Sequence, residues 1–443
     1  MASLGVRPGR IPVLLMLACI CGTANAVPRK SAPARASASN AAARAIAVQI
    51  REQADGQVGR FYAGRGFWPL WASAGRIGPE AGALLNVLES ARLDGLKPNT
   101  YKIDELRGLL RAASAGDAAA VARADLAMSR ALARYVGDVR RPSHVEMIWL
   151  DKALKPKRLR ADAVLRAASL PKSLGTYISD MQWMSPHYVR LRGLLAQARR
   201  AGASEETERR LRLNLDRARL LPGAWTHHIV VDAASARLWY YQAGKQQGTM
   251  RVVVGAKETP TPMLAGMVRY AILNPYWNVP VDLTQRRIAP KILAGGSLKT
   301  MRYEALSDWT AAARPLDQRT IDWRAVAAGD REVRVRQLPG GANAMGRVKF
   351  MFPNEQGIYL HDTPDKALLA KNERHFSNGC VRLEDAPRLG RWLLGKRFTT
   401  TSKQPEQGVA LTQPVPVYLT YFTVAAGPKG VTMIKDVYGR DGS

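Results

Sequence analysis

Cysteine is almost absent from this chain. It has three among 443 residues, and two of them, Cys19 and Cys21, lie within the first 21 positions. That excludes a disulfide-stapled scaffold. Long apolar runs are missing too: "IPVLLMLACI" is too short to span a bilayer and no later stretch is long enough, so no stable membrane anchor is expected. Acidic residues are in deficit, 36 against 66 basic, for a net charge of +30. Such an excess suits polyanionic surroundings such as nucleic acid, anionic lipid or a carboxylate-bearing polymer. An Arg- and Ala-rich source genome would produce the same composition, so charge alone decides nothing.

What is present first is an export signal. "MASLGVRPGR" is basic, an apolar run follows, and "CGTANA" ends in small residues, predicting a signal peptide over 1–26 with cleavage after Ala26. A lipid anchor on Cys19 or Cys21 is the competing reading. Met16, Leu17 and Ile20 are poor for the small-residue box such an anchor needs, so a soluble exported protein is preferred. Export argues against nucleic acid as a partner. Cleavage also leaves Cys380 as the single thiol of the mature chain, either a buried bystander or a working group.

Residues 27–45 read as a flexible, basic leader. From 46 to 222 the periodicity is helical, predicting a scaffold of helices. Leu84, Leu85, Leu88 and Ala91 share a face until Gly95 and Pro98 stop the helix, and Met128, Leu132 and Tyr135 repeat the spacing. Ser204 reads as an N-cap followed by glutamates. The aromatic cluster "FYAGRGFWPLW" (61–71) reads as packing between helices rather than a sugar-stacking platform. Past Gly223 short β-rich runs take over, predicting a mostly-β domain over 223–443 with a helical, charged insertion at about 281–334 placed as a lid. The fold class is therefore α+β.

The chemistry centres on "HFSNGCVRLED" (375–385). A thiol is mostly protonated at neutral pH and needs a base or a cation beside it to act as a nucleophile. His361 ends the strand-like "GIYLH" and could serve as that base. His375, on the approach to the cysteine, is kept as a substrate-side or exposed residue. Gly379 permits unusual dihedrals and close approach, so that the Gly379 and Cys380 N–H groups could face an oxyanion.

The stretch "IYLHDTPDKALLAKNERHFSNGCVRL" resembles the signature of the L,D-transpeptidase (YkuD-type) catalytic domain, with Cys380 nineteen residues after His361. "VVVGAKETPTPML", "NPYWNVP", "VRQLPGGANAMGRVKFMFPN" and "DVYGRDG" are similar to the large periplasmic branch of that family, and "FYAGRGFWPLW…GLKPNTY" to its helical scaffold. The resemblance implies Cys380 as nucleophile, His361 as base, Gly379 and Cys380 as the oxyanion-hole turn, and Arg382 and Ser377 as motif residues. Asn378 stands where many members have histidine, and 150–205 shows no clear peptidoglycan-binding repeat. It further implies acyl transfer on peptidoglycan stem peptides in the periplasm, from a tetrapeptide donor to a diaminopimelate-type amine. No metal or cofactor is required, and carbapenems would acylate the cysteine.

The remaining residues read two ways. Arg382 pairs a stem carboxylate or braces the turn through carbonyls. Tyr359 donates a hydrogen bond near the oxyanion or only packs. Asp362 orients the imidazole through its side chain or its carbonyl. Trp277 and Asn278 line the cleft or sit in a core. His227 and His228, adjacent on a strand, point to opposite faces and do not make a metal pair. The competing functions are an L,D-carboxypeptidase or other hydrolase using the same thioester, and a non-catalytic wall-binding protein. A papain-like peptidase is disfavoured because its cysteine precedes its histidine.

Overall fold

A computed structural model of the chain describes residues 32–141, 144–395, 398, 404–428 and 430–442. The expected signal peptide lies outside them. Part of the expected leader does not: α1 (Ala32–Gln53) is already helical, which corrects the flexible reading of 27–45 from residue 32 onward. Its run of alanines favours helix, and Ile46 and Ile50 are buried.

Eight further helices follow: α2 (Gly56–Ala63), α3 (Glu80–Glu89), α4 (Ile103–Ala112), α5 (Ala118–Val139), α6 (Ala161–Ser169), α7 (Leu174–Ser179), α8 (Pro186–Arg200) and α9 (Glu205–Arg219). Local chemistry sets their ends. The Asp117 carboxylate accepts from the Ala120 N–H at α5, Ser185 caps α8 with Pro186 behind it, and Ser204 caps α9 ahead of Glu205 and Glu206. The α3 stripe turns its Leu84 and Leu88 inward and ends where Gly95 takes φ 74°.

Most of the aromatic cluster is core, as read. The Trp71 indole N–H donates to Ser129 Oγ at 2.9 Å, while Tyr62 donates to the buried carboxylate of Asp125. Trp68 is the exception, at 41% exposure.

The helical part is not wholly helical. It carries a small hairpin, β1 (Ala72–Ser73) with β2 (Arg76–Ile77), and a short strand, β3 (Ile148–Trp149), that joins the sheet of the second half. That sheet is built from β4 (His228–Asp232), β5 (Arg237–Gln242), β6 (Lys245–Gly255) and β7 (Leu264–Leu273). After β8 (Trp277–Val279), β9 (Tyr303–Leu306), β10 (Pro315–Leu316) and β11 (Arg334–Gln337), the chain returns to it through β12 (Val348–Met351), β13 (Leu360–His361), β14 (His375–Ser377), β15 (Val381–Leu383) and β16 (Gln407–Thr420). Among the described residues its order is β12-β13-β15-β6-β5-β4-β16-β7-β3, with β14 on β6. Because β12 also pairs with β7, eight of these strands close into a ring. Closure removes free edges and encloses a core of Val252, Leu360, Val381 and Val417. A last hairpin, β17 (Val424–Gly427) with β18 (Gly430–Met433), packs near α8.

The insertion at 281–334 carries helices, as expected, and also strands. Its β9 and β10 join β8 and β11 in a separate four-stranded sheet over a core of Val279, Ile288, Trp323 and Val335. Trp277 packs half-buried against that core, and Asn278 beside it is exposed. Among the described residues no helix is long and apolar enough to cross a membrane.

Candidate active site

The parallel pairing of β13 with β15 assembles the site. Leu360 lies opposite Val381 and His361 opposite Arg382, and the Val381 N–H donates to the Tyr359 carbonyl at 2.9 Å. Extending the ladder one residue back sets Cys380 against Tyr359. Side chains two apart on a strand share a face, so Tyr359, His361, Cys380 and Arg382 form one cluster on one side of the sheet.

His361 is buried, and its Nδ1 lies 2.6 Å from the Asp362 carbonyl. A carbonyl only accepts, so Nδ1 carries the proton and Nε2 the lone pair. This resolves the Asp362 alternatives in favour of the backbone. The Asp362 carboxylate is used elsewhere, accepting from the Arg347 N–H at 3.0 Å and from Lys366 Nζ at 2.9 Å.

Cys380 is half-buried, and its thiol donates to the Gly357 carbonyl at 3.4 Å. Burial pushes the thiol up; the Tyr359 backbone and the Arg382 charge pull the other way. Burial, and then Arg382, hold His361 down at about 4. Both shifts favour the neutral thiol over the thiolate and the neutral imidazole over the imidazolium. Desolvation of both partners opposes an ion pair between them.

The turn before the cysteine also differs from expectation. Gly379 does adopt the left-handed region, φ 101°, and a Cβ there would come within 2.8 Å of Ile358 Cδ1. Its N–H, however, donates to Ser377 Oγ at 3.2 Å, while that hydroxyl donates to the Cys380 carbonyl at 2.5 Å. Ser377 thus closes the turn on itself and withdraws one of the two expected oxyanion donors. The Cys380 N–H has no partner among the described residues. Asn378 is exposed.

The Arg382 side chain makes no hydrogen bond among the described residues, so it does not brace the turn through carbonyls. Burial depresses its guanidinium, and Arg287 from the insertion pushes the same way. Tyr359 is raised by burial and then by Cys380. His375 departs from the substrate-side reading: its ring lies 3.0 Å from the Ala233 carbonyl and packs edge-on against Tyr438. His227 and His228 diverge, the first edge-on to Trp392 and the second stacked on Tyr241.

Several supporting residues were not singled out by sequence reasoning. Thr261 is fully buried; its hydroxyl donates to the Gly379 carbonyl at 2.7 Å and accepts from the Gly255 N–H at 2.9 Å. Tyr438 donates to the Gly255 carbonyl at 2.6 Å, and Arg440 to the Thr261 carbonyl at 3.0 Å. Arg217 of α9 holds that tail from the other side, through Asp441 at 2.9 Å and the Arg440 carbonyl at 2.6 Å. The only sequence signal for them was that Thr261 and Tyr438 fall in the family-like stretches "GAKETPTPML" and "DVYGRDG".

Two family models match the chain: a scaffold domain over residues 56–195 and an L,D-transpeptidase catalytic domain over 226–417. A curated relative described as a putative L,D-transpeptidase of Haemophilus influenzae is 29% identical over 239 residues. The match covers 52% of this chain and 48% of the relative, so it spans about half the relative's length. Among solved structures, an L,D-transpeptidase variant of Enterococcus faecium is 15% identical, covering 46% of this chain and 52% of that one with a TM-score of 0.23. An L,D-transpeptidase from Mycobacterium smegmatis is 13% identical, covering 44% and 58% with a TM-score of 0.22. The chain is thus a scaffold domain followed by an L,D-transpeptidase catalytic domain of the YkuD family.

Proposed function

We propose that the protein is an exported, periplasmic peptidoglycan L,D-transpeptidase that forms 3→3 cross-links through a thioester on Cys380. His361 Nε2 takes the thiol proton as the sulfur attacks the carbonyl of the third stem residue. The S–C bond forms, the C–N bond to the terminal D-Ala breaks, and the imidazolium returns its proton to that departing amine. A side-chain amine of a neighbouring stem then attacks the thioester. The new C–N bond forms as the S–C bond breaks, and the amine's proton restores the thiol.

The Cys380 N–H stabilises the oxyanion. The Gly379 N–H can join it only by releasing Ser377. Arg382, unpaired and beside the sulfur, suits a stem carboxylate in fork geometry. Its charge also favours the thiolate, so the proton transfer occurs as substrate arrives. Carbapenems would acylate the same sulfur.

The observation that carries this reading is the tautomer set by the Asp362 carbonyl, which leaves a basic nitrogen on the face that Cys380 shares. The test is mass spectrometry of stem peptides incubated with the wild type and with Cys380→Ala. Dimers joined 3→3 with the wild type alone support the transferase. Free tripeptide alone assigns an L,D-carboxypeptidase, and no change with either protein assigns a non-catalytic wall binder.

A further inference from the structure

The helical half holds a feature that the cysteine chemistry leaves unused. A cavity of about 930 Å³ opens between α2, α5 and the irregular segment before α6. Five arginines line it: Arg130, Arg134 and Arg141 from one side, Arg158 and Arg160 from the other. The first three recur at intervals of four and seven, which sets them along one face of α5 and its C-terminal end.

Their intramolecular partners are too few. Arg134 and Arg141 share Asp138, at 3.9 and 3.1 Å, and that carboxylate also accepts from Tyr101. Arg160 shares Asp162 with Arg166 from outside the cavity. Arg130 reaches the exposed Asp55, and Arg158 has no acidic partner among the described residues. Each guanidinium brings five N–H donors, so three carboxylates leave much of this donor set facing solvent. Arginine rather than lysine lines the cavity, and its planar fork matches a carboxylate with two parallel hydrogen bonds.

A second hollow of about 480 Å³ lies at the other end of the α2–α6 seam. It is lined by Arg60, Arg65, Arg166 and the exposed ring of Trp68. From Ala161 in the first cavity to Arg166 in the second is about 8 Å along the helix. The two hollows therefore form a cationic strip with one aromatic platform. It is concave and long enough for a polymer segment, whereas a lipid surface is met by a flat or convex face.

We infer that this arginine strip of the scaffold domain is a second binding site, for carboxylate-bearing stem peptides of the peptidoglycan, and that it holds the polymer whose stems reach Cys380. The inference rests on the substrate proposed above. It supplies the wall anchoring that the missing peptidoglycan-binding repeat would otherwise leave unexplained.

The experiment is co-sedimentation of the full chain with purified sacculi at physiological salt, with every protein carrying Cys380→Ala so that no turnover intervenes. Two independent lesions are compared. Arg134→Glu with Arg158→Glu reverses exposed charges. Gly137→Leu plugs the cavity floor, where nothing lies within 4 Å of the would-be Cβ, and it raises helix propensity in α5. Both are expected to cut sacculus binding at least tenfold while leaving the melting temperature unchanged, and methyl-esterifying the sacculus carboxylates should do the same to the parent protein.

Binding that survives both lesions, or that ignores esterification, overturns the proposal. So does loss of binding to phosphatidylglycerol vesicles in these variants with sacculus binding intact, which would reassign the strip to lipid phosphate. Failure of the catalytic reading would appear in the stem-peptide masses and not in this assay.

Discussion

His361 and Arg382 stand opposite each other on neighbouring parallel strands, so the proposed base and an arginine whose side chain has no hydrogen-bond partner among the described residues share a face. The arginine acts on both reacting groups, favouring the thiolate and opposing the imidazolium. Replacing His361 with Gln should lower acylation by a carbapenem about 100- to 10,000-fold with the fold intact. Intact-mass kinetics measures this, and a rate within threefold of wild type would remove His361 as base.

Cys380 should titrate as a reluctant thiol. Iodoacetamide labelling is expected to rise with pH through a midpoint above the ordinary thiol value, because burial dominates. Arg382→Gln should move that midpoint further up and raise KM for a stem tetrapeptide. A midpoint below about pH 7 would mean that a thiolate stands ready in the free enzyme.

Gly379→Ala combines a left-handed φ, which L residues rarely adopt, with a Cβ 2.8 Å from Ile358 Cδ1. Strain of this kind costs on the order of 1–3 kcal/mol. A fall in thermal stability with nearly complete loss of acylation is expected, and an unperturbed melting curve would show that the turn relaxes.

Thr261→Val keeps the volume but leaves the Gly255 N–H without its acceptor and the Gly379 carbonyl without its donor. The expected cost is about 1–3 kcal/mol, with kcat reduced more than KM is raised. Thr261→Ser should restore both. No defect in Val, or a defect that Ser fails to restore, would show that the hydroxyl does not hold the turn.

Stability should fall with acid in a defined window. Burial holds His361 and His228 at about 4 and His187 at about 3, against 6.5 when unfolded. The unfolded chain binds these protons first, so their contribution is whole above pH 6.5, shrinks as pH falls, and is gone once the folded values are passed. Asp232, raised to about 6 by burial, works oppositely: its contribution is lost as pH rises from 3.8 through 6. His227 and His375 are lowered by burial as well, and Asp125 and Asp216 are raised; five histidines outweigh three carboxyls, so the melting temperature should climb from pH 4.5 to 6.5 and then level. Asp232→Asn should steepen the climb, and a flat profile would contradict the burial of these rings.

Much of this was legible in the residues. Periodicity gave the helices, and the caps at Ser204 and Gly95 act as written because they depend on local geometry alone. Cys380 and His361 could be singled out from their chemistry, but the β13–β15 register that puts them on one face could not. What was not legible depended on distant partners. Ser377 takes the Gly379 N–H through a turn whose closure no spacing reveals. Thr261 reaches the Gly379 carbonyl across 118 positions, and Tyr438 reaches the Gly255 carbonyl beside it across 183. The insertion's own sheet was hidden because its strands are two to four residues long, below the length at which alternation shows.

Arg217 and Asp441, both buried, meet across 224 positions of chain. Without Asp441, that arginine on α9 would keep the Tyr421 ring over it but lose its counter-ion, a state that costs several kcal/mol. A polypeptide clipped just before residue 441 would keep nearly all of both domains and still be marked by that orphaned charge. The same latch secures the strap behind Thr261, so a nascent or clipped copy would be unarmed as well as unstable.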